Sequence, residues 1–151
     1  MNISELISKE LISLDLQADT KAELINEMVE LLDQNGRLSD KDAFEKAVLE
    51  REKTYSTGIG MGIAIPHGKS AGVKKASIAF GRKNKGIDFD SLDGKPAKMF
   101  FLIAVPEASN DVHLKILSKL SRSLMHEQTR KALMEANEAQ DIINILLEEI
   151  K

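Results

Sequence analysis

The residue in this chain best suited to carry chemistry is His67, which follows the short apolar run Ile63, Ala64 and Ile65 and is flanked by Pro66 and Gly68. An imidazole whose ordinary pKa lies at about 6.5 is abundant in its uncharged form near pH 7. It can then act as nucleophile, base or metal ligand. Gly58, Gly60 and Gly62 alternate with Ile59, Met61 and Ile63 just upstream, giving three places where the backbone can turn sharply or let another group come close. Ile63 to Ile65 reads as a buried strand that ends at Pro66, which cannot donate a ladder hydrogen bond, so His67 is expected at a strand's edge. With no side chain at Gly68, one face of the ring is expected to stand open to a bulky partner. The plainer alternative is a turn histidine with one ring nitrogen bonded to backbone.

The whole run REKTYSTGIGMGIAIPHG, Arg51 to Gly68, is informative beyond the histidine. From Glu52 through Ile59 and Gly60, the apolar triplet and Pro66-His67-Gly68, it closely resembles the active-site signature of the type-2 enzyme IIA domains of the bacterial phosphoenolpyruvate-dependent sugar phosphotransferase system, the mannitol and fructose family. The resemblance extends over essentially the whole chain. It implies that His67 is the phosphorylated residue. It also implies that Arg51, sixteen residues earlier at a predicted helix end, and His113, in the first turn of a later helix, occupy the positions of the accompanying arginine and second histidine.

Physical chemistry is consistent with those implied roles. A neutral imidazole needs no separate general base to accept a phosphoryl group, provided a hydrogen bond to its other nitrogen fixes the tautomer. Charge spreads over the phosphoryl oxygens in the transition state, so positioning and electrostatic stabilisation are what a protein can supply. Arg51 can present a bidentate fork to those oxygens. His113 can add one hydrogen bond, and the helix N-terminus it occupies adds backbone donors. Ser56 and Thr57 are weaker candidates for the phosphate environment, through hydroxyls or amides. Without the motif, Arg51 would read as a solvated helical cation and His113 as a histidine near the core. His126 is expected at a helix C-terminus, where an imidazole suits the dipole, and is taken as structural.

Rival chemistries find little support. A zinc site would want a third ligand, and neither His-x-x-x-His nor a cysteine set is present. GIGMGIA is not GxGxxG, and no GxxxxGK[ST] loop occurs, which argues against nucleotide binding. Zero cysteines exclude disulfides and a thiolate nucleophile within the chain. A net charge of −3 with interspersed signs offers no basic stripe for nucleic acid. Lys69, Lys74, Lys75, Arg82, Lys83 and Lys85 are expected as solvated strand ends. No apolar run reaches the 18 to 20 or so residues of a bilayer span, and MNISELISKE lacks a signal-peptide layout, so a cytoplasmic protein is expected.

The elements that must position these groups follow from periodicity. A short N-terminal helix precedes a strand near Leu11 to Leu16. Thr20 and Glu23 have capping-box spacing before a helix that Gly36 stops, and Ser39 with Asp42 repeats the spacing before a second helix running to Arg51. Ala76 to Arg82 is β-like, GIDFDSLDGKP contains a turn, and Ala97 to Val105 is a central strand expected to neighbour the His67 strand. Asp111 is expected to cap a helix through Met125, and Thr129 to Ala136 and Ala139 to Ile150 read as two more. With 151 residues, this predicts one α/β domain over residues 1–151, a sheet with helices on its faces. The resemblance implies the same, a mixed sheet inside a helical shell.

The resemblance further implies a phosphocarrier without a cofactor. It would take phosphate from the phosphohistidine of HPr and pass it to a cysteine of an enzyme IIB linked to a membrane IIC transporter. Docking is expected on an apolar patch, with Met61, Ile59 and Val73 as candidates. The stretches SLDGKPAKMFFLIAVPE and HLKILSKLS look most like the fructose branch, with mannitol second. Two other readings are a nitrogen-regulatory relative acting by phosphorylation-dependent binding and a non-enzymatic binding domain in which His67 merely shapes a loop.

Overall fold

The computed structural model describes residues 3–109 and 111–149, with the backbone alone of Val112 and His113. Two 3₁₀ turns, Ile3–Glu5 and Lys9–Leu11, lead into β1 (Ile12–Ser13). Helices α1 (Lys21–Gln34) and α2 (Lys41–Thr54) follow, then β2 (Gly58–Gly60), β3 (Ile63–Ala64), β4 (His67–Ser70), β5 (Ser77–Ile87) and β6 (Ala97–Pro106). The described chain closes with α3 (Val112–Leu124), α4 (Glu127–Glu135) and α5 (Ala139–Glu149). The strands form one mixed sheet in the order β1-β5-β6-β3-β2, with β4 also against β6. β6 runs antiparallel to β5 and parallel to β3 and β4.

Successive side chains of the central strand join opposite cores, as a sheet covered on both faces requires. Phe100, Leu102 and Ala104 of β6 join Leu24, Ile25, Met28, Phe44 and Val48 of α1 and α2 in one core. Phe101, Ile103 and Val105 join Leu120, Leu124, Leu133, Ile142 and Leu146 of the last three helices in the other. A strand covered on both faces must be apolar at consecutive positions, and Met99 to Val105 are all buried. Each fully buried leucine or phenylalanine contributes about 1.5 to 3 kcal/mol. That is why β6 can anchor everything paired to it.

Several local expectations shift when packing is added. The Thr20 hydroxyl does accept from Glu23 N, at 3.2 Å, and begins α1. The α2 cap is Asp40 rather than Ser39: Asp40 Oδ1 accepts from Ala43 N, whereas the Ser39 hydroxyl donates to Ala71 O. The first strand shrinks to Ile12–Ser13, and β5 runs on to Ile87. Arg82 is buried, not a solvated strand end: its Nη1 donates to Leu133 O and Ala136 O at 2.9 and 2.8 Å, capping the carbonyl end of α4. His126 lies one residue past the α3 cap and at the N-cap of α4, without a side-chain capping bond.

Pro66 interrupts the strand without ending it. Ile63 and Ala64 pair with Met99 and Phe100, and His67 and Gly68 pair with Ile103 and Ala104, in unchanged register. Gly68 also has a different reason from the expected one. A Cβ there would lie 2.9 Å from Val48 Cγ2 and 3.2 Å from Val48 N, so the missing side chain lets α2 press against β4. The β2–β3 turn places Met61 at φ 58 and Gly62 at φ 78. It is clamped from outside by Asp93, whose Oδ2 accepts from Met61 N at 3.0 Å.

Two outcomes follow. Gly68→Ala should lower unfolding free energy in urea by about 1 to 3 kcal/mol, the usual range for overpacking a core contact. Amide donation from Lys95 first, then from Met61, holds the Asp93 carboxyl below its ordinary range. A lowered folded pKa means stabilisation that is present above the unfolded value and lost as pH falls through the folded one. Acidification through and below the usual carboxylate range should therefore lower the protection factor of Met61 N, its exchange rate taken relative to the intrinsic rate at the same pH, and Asp93→Asn should remove that pH response.

Candidate functional site

α2 presses on β4 through Gly68 and brings Arg51, in its last turn, to the same pocket as His67. That pocket, of about 450 Å³, is lined by Ala47, Arg51, Tyr55, His67, Gly68, Lys69, Leu114 and Leu117. It opens between the two helical layers at the end of the sheet. His67 is half-buried. Its parity with Ile63 and Ile65 along the strand turns it towards the α3 side, where Leu114 and Leu117 stand.

His67 Nδ1 lies 2.9 Å from Ile65 O. A carbonyl can only accept, so Nδ1 is the protonated nitrogen and the neutral ring carries its lone pair on Nε2. The Arg51 guanidinium donates from Nη1 to Tyr55 O at 2.8 Å and lies over the Tyr55 ring, 4.5 Å from its centroid. Stacking of this kind holds a cation at about 0.5 to 1 kcal/mol on an exposed surface. It leaves Arg51 ordered without a carboxylate to neutralise it among the ion pairs of the described residues. His113 has its backbone in the first turn of α3, and its side chain lies outside the described residues.

Ser56 and Thr57 are held within the fold. The Ser56 hydroxyl donates to Phe89 O at 2.6 Å and accepts from Gly58 N. Thr57 is buried, and both its hydroxyl and its amide donate to the Glu52 carboxylate. Glu52 in turn pairs with Lys21 Nζ at 2.8 Å, with only 5% of its side chain exposed. Glu52 opens the signature run in the sequence, but its burial and its ion pair were not legible there, because its charged partner comes from α1. The hollow of about 730 Å³ between α1 and α2 has Lys21 and Glu52 among its lining residues, together with Ile25 and Leu49. His67 and Arg51 are absent from that lining and stand together at the smaller pocket.

The expected apolar patch is redrawn. Met61 is exposed and Ile59 half-buried, but Val73 is buried, where it bridges to Leu38. Tyr55 and Leu114, 66% and 58% exposed, are the exposed large apolar groups at the pocket itself, beside the less exposed Leu117. Sequence periodicity missed them because Tyr55 lies just beyond a helix end and Leu114 faces outward from α3. Among the described residues there is no cluster of three or more histidine and acidic side chains able to hold a metal, and no helix long and apolar enough to cross a membrane.

Known proteins share both sequence and shape with this chain. The profile of the family described as phosphoenolpyruvate-dependent sugar phosphotransferase system, EIIA 2, matches residues 5–149. The PTS system fructose-specific EIIABC component of Bacillus subtilis is 49% identical over 146 residues, which are 97% of this chain and 23% of that much longer protein. The PTS system fructose-specific EIIA component of Haloferax volcanii is 47% identical over 150 residues, covering 99% of this chain and 97% of the relative. Among solved structures, the nitrogen regulatory protein IIA-Ntr from Neisseria meningitidis superposes with a TM-score of 0.84 at 35% identity, covering 95% of this chain and 98% of the other. The enzyme IIAMTL of Escherichia coli, solved in complex with phosphorylated enzyme IIBMTL, gives a TM-score of 0.81 at 25% identity, with 94% and 97% covered.

The Lys21–Glu52 pair sets up a stability test. Removing one partner of a buried pair strands the other charge and costs about 3 kcal/mol or more, whereas an exposed i,i+3 pair is worth about 0.5 kcal/mol or less. Lys21→Met should therefore shift the urea midpoint strongly and Lys53→Met, which removes the exposed partner of Glu50, should barely move it.

Proposed function

The chain belongs to the EIIA 2 family of the phosphoenolpyruvate-dependent sugar phosphotransferase system, and on that premise we propose that it carries a phosphoryl group on His67 Nε2. The donor is the phosphohistidine of HPr. The acceptor is the cysteine of an enzyme IIB that serves fructose uptake through a membrane IIC transporter. The observation that carries this reading is the 2.9 Å bond from His67 Nδ1 to Ile65 O, which directs the lone pair to Nε2 within the pocket that Arg51 lines.

The transfer balances without a cofactor. Nε2 bonds to phosphorus as the phosphorus–nitrogen bond to the HPr imidazole breaks, and that ring leaves with the electron pair. His67 gains positive character, which the Ile65 carbonyl offsets through the proton retained on Nδ1. Arg51, released from the Tyr55 carbonyl, places its fork on the phosphoryl oxygens. His113, carried on the first turn of α3, is the proposed second donor. In the onward step a cysteine thiolate of the IIB partner attacks phosphorus and the His67 ring leaves as neutral imidazole. Tyr55 and Leu114 serve as the apolar contacts that seat each partner over the pocket, and transient docking suits a carrier that must release both.

EIIA proteins pair with EIIB partners, as the IIAMTL–IIBMTL complex illustrates for mannitol. Fructose is favoured here by the 47–49% identity to fructose-specific proteins, against 35% to the nitrogen regulatory structure. Because the chain spans less than a quarter of the Bacillus protein, that protein's whole activity is not carried over with the similarity. A cytoplasmic location fits a carrier that meets HPr.

Incubation with phosphoenolpyruvate, enzyme I and HPr should give an acid-labile phosphoprotein, and a fructose-specific IIB should discharge it. His67→Ala should take up no label; labelling of that variant would remove His67 as the acceptor. Arg51→Ala should retain labelling but slow transfer by about a hundredfold, the scale on which one transition-state donor acts. Retained binding to a regulatory target with no discharge to IIB would favour the nitrogen-regulatory alternative.

A further inference from the structure

We propose that Glu52 is a positioning residue for His67, acting through Thr57 and the Ile65 backbone to set which ring nitrogen carries the proton. The inference rests on the reading of His67 as phosphoryl acceptor.

The connection can be followed bond by bond. Glu52 sits at the end of α2, buried, with its charge countered by Lys21 from α1 at 2.8 Å. Its two oxygens take the hydroxyl and the amide of Thr57. Thr57 O accepts from Ile65 N at 3.0 Å. Ile65 O then accepts from His67 Nδ1 at 2.9 Å. In each contact one partner, a carboxylate or a carbonyl oxygen, can only accept, so the direction of every hydrogen bond is determined.

The geometry explains why the carbonyl of Ile65 is available at all. The edge hairpin pairs Gly58 with Ala64 as its last partners before the chain leaves the sheet. Thr57 O still accepts from Ile65 N, but Glu52 takes the Thr57 amide, so the ladder stops where Ile65 O would next seek a donor. On the other side, Pro66 O accepts from Ile103 N at 3.0 Å and holds the peptide to β6. Ile65 is thus fixed from both flanks, with its carbonyl turned to the imidazole two residues on.

Without Glu52 the Thr57 loop can drift, the Ile65 carbonyl loses its orientation, and the ring is released to sample the tautomer with Nδ1 bare and Nε2 protonated. That tautomer cannot attack through Nε2. Lys21 Nζ pairs with the Glu52 carboxylate at 2.8 Å, and a carboxylate accepts at both oxygens, which is what two donors from one residue require. Lys21 also lies over the Phe89 ring, 4.7 Å from its centroid, and Ser56 binds Phe89 O, so the same loop is pinned on its far side.

The test uses the full chain labelled with nitrogen-15, reading the imidazole nitrogens of His67 by long-range proton–nitrogen correlation alongside phosphotransfer kinetics from phospho-HPr. In the unmodified protein Nδ1 should show as the protonated nitrogen. Glu52→Ala should give a mixture of the two tautomers and a kcat at least about tenfold lower, with KM for phospho-HPr within about twofold, as expected when alignment and not binding is lost. Thr57→Val should move both readouts in the same direction, and Thr57→Ser, which keeps the hydroxyl, should restore them. Should Glu52→Ala fail to fold, Glu52→Gln and the Thr57 pair carry the same comparison. An unchanged nitrogen pattern and kcat in folded Glu52→Gln and Thr57→Val would overturn the proposal. Absence of acid-labile label on the unmodified protein would instead overturn the acceptor reading, while the nitrogen pattern still decides the role of Glu52.

Discussion

The hydrogen bond between His67 Nδ1 and Ile65 O depends on a carbonyl that a more regular sheet would have consumed in its ladder. Edge hairpin and central strand divide the polar groups of residues 64 to 67 between them, and only this one is turned towards an imidazole. Buried carbonyls in a sheet rarely go unpaired, since leaving one without a partner costs about 1 to 3 kcal/mol. Here the histidine itself supplies the donor. The requirement that the backbone be satisfied and the requirement that the ring hold one tautomer are met by the same bond.

Two layers of packing converge on that bond. From one side, Phe44 and Val48 of α2 press against Gly68, which sets the depth of α2 and hence where Arg51 emerges. From the other, the cores under α3, α4 and α5 fix β6, and β6 fixes the register of both halves of the interrupted strand. Arg51 is then ordered by its own helix terminus, through the carbonyl and ring of Tyr55. The cation is held at the imidazole's pocket by a neutral carbonyl and a ring, not by a carboxylate among the described ion pairs.

Much of the architecture was legible from pattern. The apolar face of α1, its Thr20 cap and the unbroken apolar run of β6 are local signals, since each depends on residues a turn or a few positions apart. Errors arose where two distant segments compete for one group. Ser39 looked like a cap, yet Asp40 takes the role while the Ser39 hydroxyl turns to Ala71 across the sheet edge. Arg82 looked solvated by its basic neighbours, but a helix end more than fifty residues along the chain needed its donors. Val73 looked like exposed apolar surface and is instead buried against Leu38.

The candidate site divides in the same way. Sequence alone determined the types of the reactive groups and their order, His67 behind a proline and Arg51 at a helix end, because an imidazole and a guanidinium carry their chemistry wherever they stand. Only the tertiary structure decided that Nδ1 holds the proton, that Gly68 serves a helix and not an opening, and that Glu52, paired with Lys21, holds the loop beside them. Those facts depend on contacts between α1, α2 and the sheet, and hydrogen-bond direction and burial exist only once such segments meet.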